Sequence, residues 1–181
     1  MKHFELLAAG VDVLPLRHAL QRQPGLWGRH PQRQQMPGSP HAQVRDILLR
    51  FQDLQHATDA TAVQGTLETD YFPAWYQLPQ AHALVFDLAR RVEACRLGRV
   101  MVTSLLAGGK ILPHADEGAY AEHFERYHIA LQGLPGSTFR AGDETVTMLT
   151  GQCWWFRNTV EHEVVNASAD DRIHLIVDLH V

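Results

Sequence analysis

At 181 residues, with 45% apolar and 20% charged side chains, the chain has the composition of a soluble globular protein able to bury a full core. A formal charge of −4 removes the usual electrostatic reason to expect nucleic acid or an anionic membrane as a partner. Its two cysteines, Cys95 and Cys153, lack the paired spacing of a disulfide framework or a zinc motif and read as buried free thiols in a reducing cytoplasm.

The N-terminal stretch His3 to Ala9 suits an outer strand. Across the longer stretch Met1 to Leu16, Glu5 and Asp12 interrupt the apolar run, which argues against a signal peptide. No run of about 18 apolar residues offers a membrane span. Asp12 can cap a helix over Val13–Gln23, with Pro15 in the first turn and Leu16 and Leu20 on one face. Pro24 to His41 is rich in Pro, Gly, Gln, Arg and His and reads as a long loop. Loops of that length are usually functional or disordered. Its functional form would be a lid or substrate-facing wall, with Trp27, Arg29, His30 and Arg33 as contacts.

Val44 to Phe51 is β-compatible, although so short an apolar run could also be helical, and Gln52 to Asp70 is polar and weakly patterned. The aromatic cluster Tyr71 to Tyr76 is expected to pack in the core rather than bind a ligand. A helix is predicted over 80–97, with Ala81, Leu84, Leu88, Val92 and Cys95 on one stripe and Gly98 as its stop. Arg90, Arg91 and Arg96 would complement its dipole.

From Arg99 the period changes to that of strands. Arg99–Leu106, Ile111–Ala115, His123–Leu131, Ser137–Phe139, Thr145–Leu149, Cys153–Phe156, His162–Asn166 and Arg172–Leu179 are separated by Gly- and Asp-containing turns. The fold class expected is mainly β, a jelly roll or barrel. Residues 1–98 would form a helical and irregular segment packed on a β-core over 99–181.

Twelve histidines are too many for one site, so most must be structural. His114 and Asp116, however, stand two residues apart on an extended stretch and project to one side. If the chain doubles back, His162 joins them. Two histidines and a carboxylate facing three open positions are the ligand set of non-haem Fe(II) oxygenases. Arg172, beyond the next turn, can grip the far carboxylate of a dicarboxylic co-substrate such as 2-oxoglutarate. Strand alternation puts Arg126, His128 and Ala130 on one face, and Arg172, His174, Ile176 and Asp178 on another. Polar residues aligned on inward faces are expensive unless they are paired or bind something. Glu163 and Asn166 are the nearby candidates to orient the ligand histidines.

With those residues in view, Val102 to Leu179 resembles the aspartyl/asparaginyl β-hydroxylase family of Fe(II)/2-oxoglutarate dioxygenases. The resemblance rests on ILPHAD, RYHIAL, GQCWWF, EHEVVNAS and DRIHLIVD, in that order and spacing. It implies a double-stranded β-helix, cupin-like, with the active site at its mouth. By resemblance, His114 and His162 bind Fe(II). Arg172 pairs with the C5 carboxylate of 2-oxoglutarate, helped by Thr103, while Arg126 and His128 contact the co-substrate near C1. O₂ is the oxidant, and succinate and CO₂ are products. The animal enzymes of the family have no carboxylate at the position of Asp116. The full triad here is similar to that of bacterial hydroxylases acting on free proline. The substrate expected is therefore an amino acid, free or within a polypeptide. A free zwitterion would require a further cation, for which Arg45, Arg140 and Arg157 are candidates. The rival readings are a cupin-like protein that binds a metal or small acid without turnover, and a zinc hydrolase.

Overall fold

Alternation along the strands decides which side chains reach the site. In the computed structural model, which describes residues 1–35, 39–54 and 65–181, two antiparallel sheets pack face to face. The larger has the strand order β1-β9-β6-β11-β4-β2-β3. It is built from β1 (Phe4–Ala8), β9 (Cys153–Phe156), β6 (Glu125–Gln132), β11 (Arg172–His180), β4 (Arg96–Leu105), β2 (Val44–Phe51) and β3 (Asp70–Tyr71). The smaller has the order β5-β10-β7-β8, from β5 (Lys110–His114), β10 (His162–Asn166), β7 (Ser137–Ala141) and β8 (Glu144–Val146). This is the expected double-stranded β-helix, mainly β. Residues before 99 contribute β1, β2 and β3 to the larger sheet.

The larger sheet is buried on both faces, and the residue period of two sorts its side chains. Val100 and Val102, Tyr127, Ile129 and Leu131, and Leu175, Val177 and Leu179 face an apolar layer of helices. That layer comprises α1 (Leu14–Arg22), α3 (Pro73–Gln77) and α4 (Gln80–Arg91). The alternate residues face the smaller sheet. There Phe4, Leu105, Ala130, Phe139, Trp154, Phe156 and Val164 form a second apolar cluster. Trp75 is buried in the helix layer, as expected of the aromatic cluster, while Tyr71 and Tyr76 are exposed. Among the described residues no helix is long and apolar enough to cross a membrane.

Several boundaries differ from expectation. The helix predicted over 80–97 ends at Arg91. Glu93 turns the chain with a left-handed φ of 56°, and β4 begins at Arg96. Cys95 is consequently exposed, not buried; both cysteines are free. Gly98 stops no helix: it lies inside β4, where a Cβ would stand 2.5 Å from Tyr120 Oη and 2.9 Å from a ring carbon of Phe124. Tyr120 and Phe124 sit in and just after α5 (Ala119–His123), a short helix that takes His123, the first residue of the strand expected over His123–Leu131, so that β6 starts at Glu125. Gly98→Ala should therefore overpack this spot and destabilise the fold by about 1–3 kcal/mol. Urea unfolding checks this, and an unchanged midpoint would contradict it. The predicted loop 24–41 carries a 3₁₀ turn at Pro24–Leu26 and α2 (Gln32–Gln35); its residues 36–38 lie outside the described residues, as do 55–64.

Candidate metal centre and its cavity

β5 and β10 run antiparallel with His114 in register with His162. Cross-strand neighbours of this kind stand close on one face, and the two imidazole centroids are 4.3 Å apart. Asp116 follows the end of β5. Its backbone N–H donates to Asn158 O at 3.0 Å, and the Asn158 amide donates to Asp116 Oδ2 at 3.3 Å. One donor atom from each of His114, Asp116 and His162 lies within 4.8 Å of the others.

The tautomers follow from local geometry. His114 Nδ1 is 2.8 Å from Leu112 O, and His162 Nδ1 is 2.9 Å from Val160 O. A carbonyl only accepts, so each Nδ1 carries the proton and each Nε2 presents a lone pair. His114 Nε2 is buried and has no partner among the described residues. Burial lowers the pKa of His114 and brings that of His162 down to about 4, so both rings are neutral, as ligands must be. Burial works to raise the Asp116 pKa, but the surrounding positive groups, Arg126 foremost, together outweigh it and keep the carboxyl ionised. Two neutral imidazole nitrogens and one carboxylate fit a divalent first-row metal.

Around this cluster the larger sheet presents its polar residues. Arg126 makes a bidentate pair with Asp178, Nε–Oδ1 2.8 Å and Nη2–Oδ2 2.9 Å, and its Nη1 donates to Asp116 Oδ2. Arg172 differs. It is 4% exposed and makes no ion pair among the described residues. Its Nη2 is buried without an acceptor. Phe139 lies beneath it, with the guanidinium carbon 5.5 Å from the ring centre, and burial pulls its pKa down to about 9. A desolvated cation without a counter-charge is costly and marks a place for an anion.

The sequence-predicted residues Thr103, His114, Arg126, His128, His162 and Arg172 all line one cavity, and Asp116 joins it through Arg126. His128 and His174 are paired inside the sheet sandwich, Nδ1 to Nδ1 at 3.1 Å. Burial, then the charge of Arg172, holds both well below 6.5. The unfolded chain thus binds protons that the native one refuses, so stability is full above about pH 6.5 and is lost as pH falls below it. The expected loss is roughly 1 kcal/mol per histidine for each pH unit. A urea midpoint equal at about pH 7.5 and about pH 5.5 would contradict this.

Other expectations are corrected. The acceptors that orient the ligand histidines are the carbonyls of Leu112 and Val160. Glu163 instead pairs with Arg140 at 2.6 Å, and Asn166 donates to the carbonyls of Leu105, Leu106 and Asp170. Arg45, Arg140 and Arg157 do not line the cavity. From the 24–41 segment Arg33 does, whereas Trp27 packs on the core, His30 meets Phe72 edge-on and Arg29 bonds Gly25 O. His41 also borders the cavity, its ring edge-on to His114 at 4.7 Å. Neither it nor Asn158 carried a recognisable signal in the sequence.

Residues 70–180, more than half of the chain, match the sequence model of a family described as aspartyl/asparaginyl beta-hydroxylase. No curated protein matches the chain. Among solved structures, it overlays an oxidoreductase of the 2OG-Fe(II) oxygenase family from Burkholderia pseudomallei with a TM-score of 0.54 and 14% identity. That overlay covers 76% of this chain and 66% of the other, just under two-thirds of its length. Smaller overlaps reach the TT1209 protein of Thermus thermophilus (TM-score 0.37, 23% identity, 45% of this chain and 71% of that one). A cupin 2 conserved barrel domain protein from Salinispora arenicola overlaps less well (TM-score 0.34, 15% identity, 44% and 60%). The Burkholderia overlay bears on the fold alone.

Proposed function

The chain belongs to the aspartyl/asparaginyl beta-hydroxylase family, and on that premise we propose that it is an Fe(II)- and 2-oxoglutarate-dependent dioxygenase that hydroxylates an amino acid, free or within a polypeptide. The observation that carries this reading is the pairing, in one cavity, of the His114–Asp116–His162 cluster with the uncompensated guanidinium of Arg172. A metal-storing or structural site has no use for that second feature.

When bound, Fe(II), 2-oxoglutarate and O₂ together supply the oxidation: the 2-oxoacid becomes succinate and CO₂, and one oxygen atom enters a substrate C–H bond. The chain's own residues bind and orient. His114 and His162 offer Nε2 lone pairs, aimed by the carbonyls at their Nδ1 sides. Asp116 offers a carboxylate whose Oδ2 is held by Arg126 and Asn158. These contacts fix the ligands before metal arrives, so little order is lost on binding. Arg172 takes the C5 carboxylate through its planar fork, with Thr103 beside it. Arg126 and His128 are assigned to the C1 end, where Arg126, already saturated by Asp178 and Asp116, acts mainly by holding Asp116. Residues 99–181 act as the catalytic core and residues 1–98 close one side of it. Two free thiols suit a reducing cytoplasm.

The test is a succinate-release screen over free amino acids and short peptides with Fe(II), 2-oxoglutarate and O₂. Substrate-stimulated succinate with a hydroxylated product is expected. Metal binding without any 2-oxoglutarate turnover, coupled or uncoupled, would sink the reading.

A further inference from the structure

One cation of the cavity has no part in that scheme. Arg33, on α2, borders the same space as His114, His162 and Arg172. Its Nη1 is held by Asp46 Oδ2 at 3.0 Å and by Met101 Sδ at 3.0 Å. Among the described residues its side-chain contacts all fall on Nη1, so Nε and Nη2 are uncommitted. Asp46 is the buried member of the pair, at 2% side-chain exposure against 22% for Arg33. It stands on β2 in register with Thr103, so a rigid strand braces the guanidinium. Ser39 ties the segment back: its Oγ donates to Arg33 O, and the His41 N–H donates to Ser39 Oγ.

Its open donors decide what Arg33 is for. Arg126 is saturated by Asp178 and Asp116. Arg172 is assigned to the co-substrate, whose two negative charges balance a divalent metal. With those in place, Arg33, which gives only Nη1 to Asp46, is the cavity-lining cation with donors still open to a further ligand among the described residues. It also precedes the matched range 70–180, so the family match does not include it. Resting on the oxygenase reading, we propose that Arg33, braced by Asp46, is the seat for a carboxylate of the substrate. The carboxylate is either the α-carboxylate of a free amino acid or the side-chain carboxylate of an acidic residue in a peptide.

The experiment uses the Fe(II)-loaded, 2-oxoglutarate-bound protein kept anaerobic. It is titrated calorimetrically with free L-amino acids, their α-carboxamides, and N-acetylated, C-amidated peptides carrying Asp or Asn. At least one acid should bind roughly 10–100-fold tighter than its amide, the worth of a charge-assisted pair. Arg33→Gln should erase that difference and Arg33→Lys should leave part of it. Discrimination between free acid and carboxamide identifies the α-carboxylate; discrimination between the Asp and Asn peptides identifies the side chain. Acid and amide binding alike, no probe binding at all, or an undiminished preference in Arg33→Gln would each overturn the seat. The visible charge-transfer absorbance that appears when 2-oxoglutarate meets the Fe(II) protein separates the two levels. If wild type and Arg33→Gln both show it without discrimination, only the Arg33 assignment falls. Its absence from wild type removes the oxygenase reading and the seat together.

Discussion

Replacing Arg172 by Lys should raise the 2-oxoglutarate concentration needed for half-maximal succinate formation by roughly 10–100-fold, with a smaller change at saturation. A lysine keeps the charge but loses the two parallel N–H donors that a carboxylate can accept together. Arg172→Met tests the same point from the stability side. In the ligand-free protein Arg172 is a buried cation with no counter-charge among the described residues, so a similar-sized apolar side chain should be neutral or stabilising. The variant should unfold in urea no earlier than wild type, yet 2-oxoglutarate should no longer protect it. Wild type should gain about 2.7 kcal/mol at a ligand concentration 100 times Kd. Equal protection of both proteins would place the co-substrate elsewhere.

The second large effect is expected at the metal ligands. Asp116→Ala removes a donor and also strips Arg126 of one of its two carboxylates. His162→Ala removes a donor whose lone pair is already aimed. Each should weaken Fe(II) or Mn(II) binding by more than about 100-fold, since loss of an outer partner alone is typically worth 10–100-fold. Asn158→Ala supplies that comparison. It removes only the 3.3 Å amide contact to Asp116 Oδ2 and should fall near the lower end, about 10-fold. Titration of the metal-free proteins under anaerobic conditions separates the three. If Asp116→Ala bound metal as tightly as Asn158→Ala, the carboxylate would not be a ligand.

Much of this architecture was legible from alternation alone. β9 and β10 begin and end where the apolar pattern and the turns place them. The inward faces Arg126–His128 and Arg172–Asp178 follow from a period of two, which no tertiary packing can shift without turning every side chain over. The end of α4 was hidden for a physical reason. Val92 and Cys95 continue its apolar stripe, while the chain breaks at Glu93, a non-glycine residue in the left-handed region, so no Gly or Pro announces the stop. The partners of the ligand histidines were also out of reach. Leu112 and Val160 act through backbone carbonyls, each two residues before its histidine, and a search for polar side chains passes over them. Arg33 is among the contacts expected from the 24–41 loop and does line the cavity, whereas His41 and Asn158 reach the centre only through contacts between distant segments, whose register one sequence does not carry.

The sharpest test of the oxygenase reading is an anaerobic titration of the purified protein, first with Fe(II) and then with 2-oxoglutarate. That reading predicts one Fe(II) per chain and a visible charge-transfer band that grows only when both are present. The band should be lost in Asp116→Ala and should require more 2-oxoglutarate in Arg172→Lys. Fe(II) bound tightly with a spectrum indifferent to 2-oxoglutarate would contradict it, and would leave a metal-binding barrel without oxygenase chemistry.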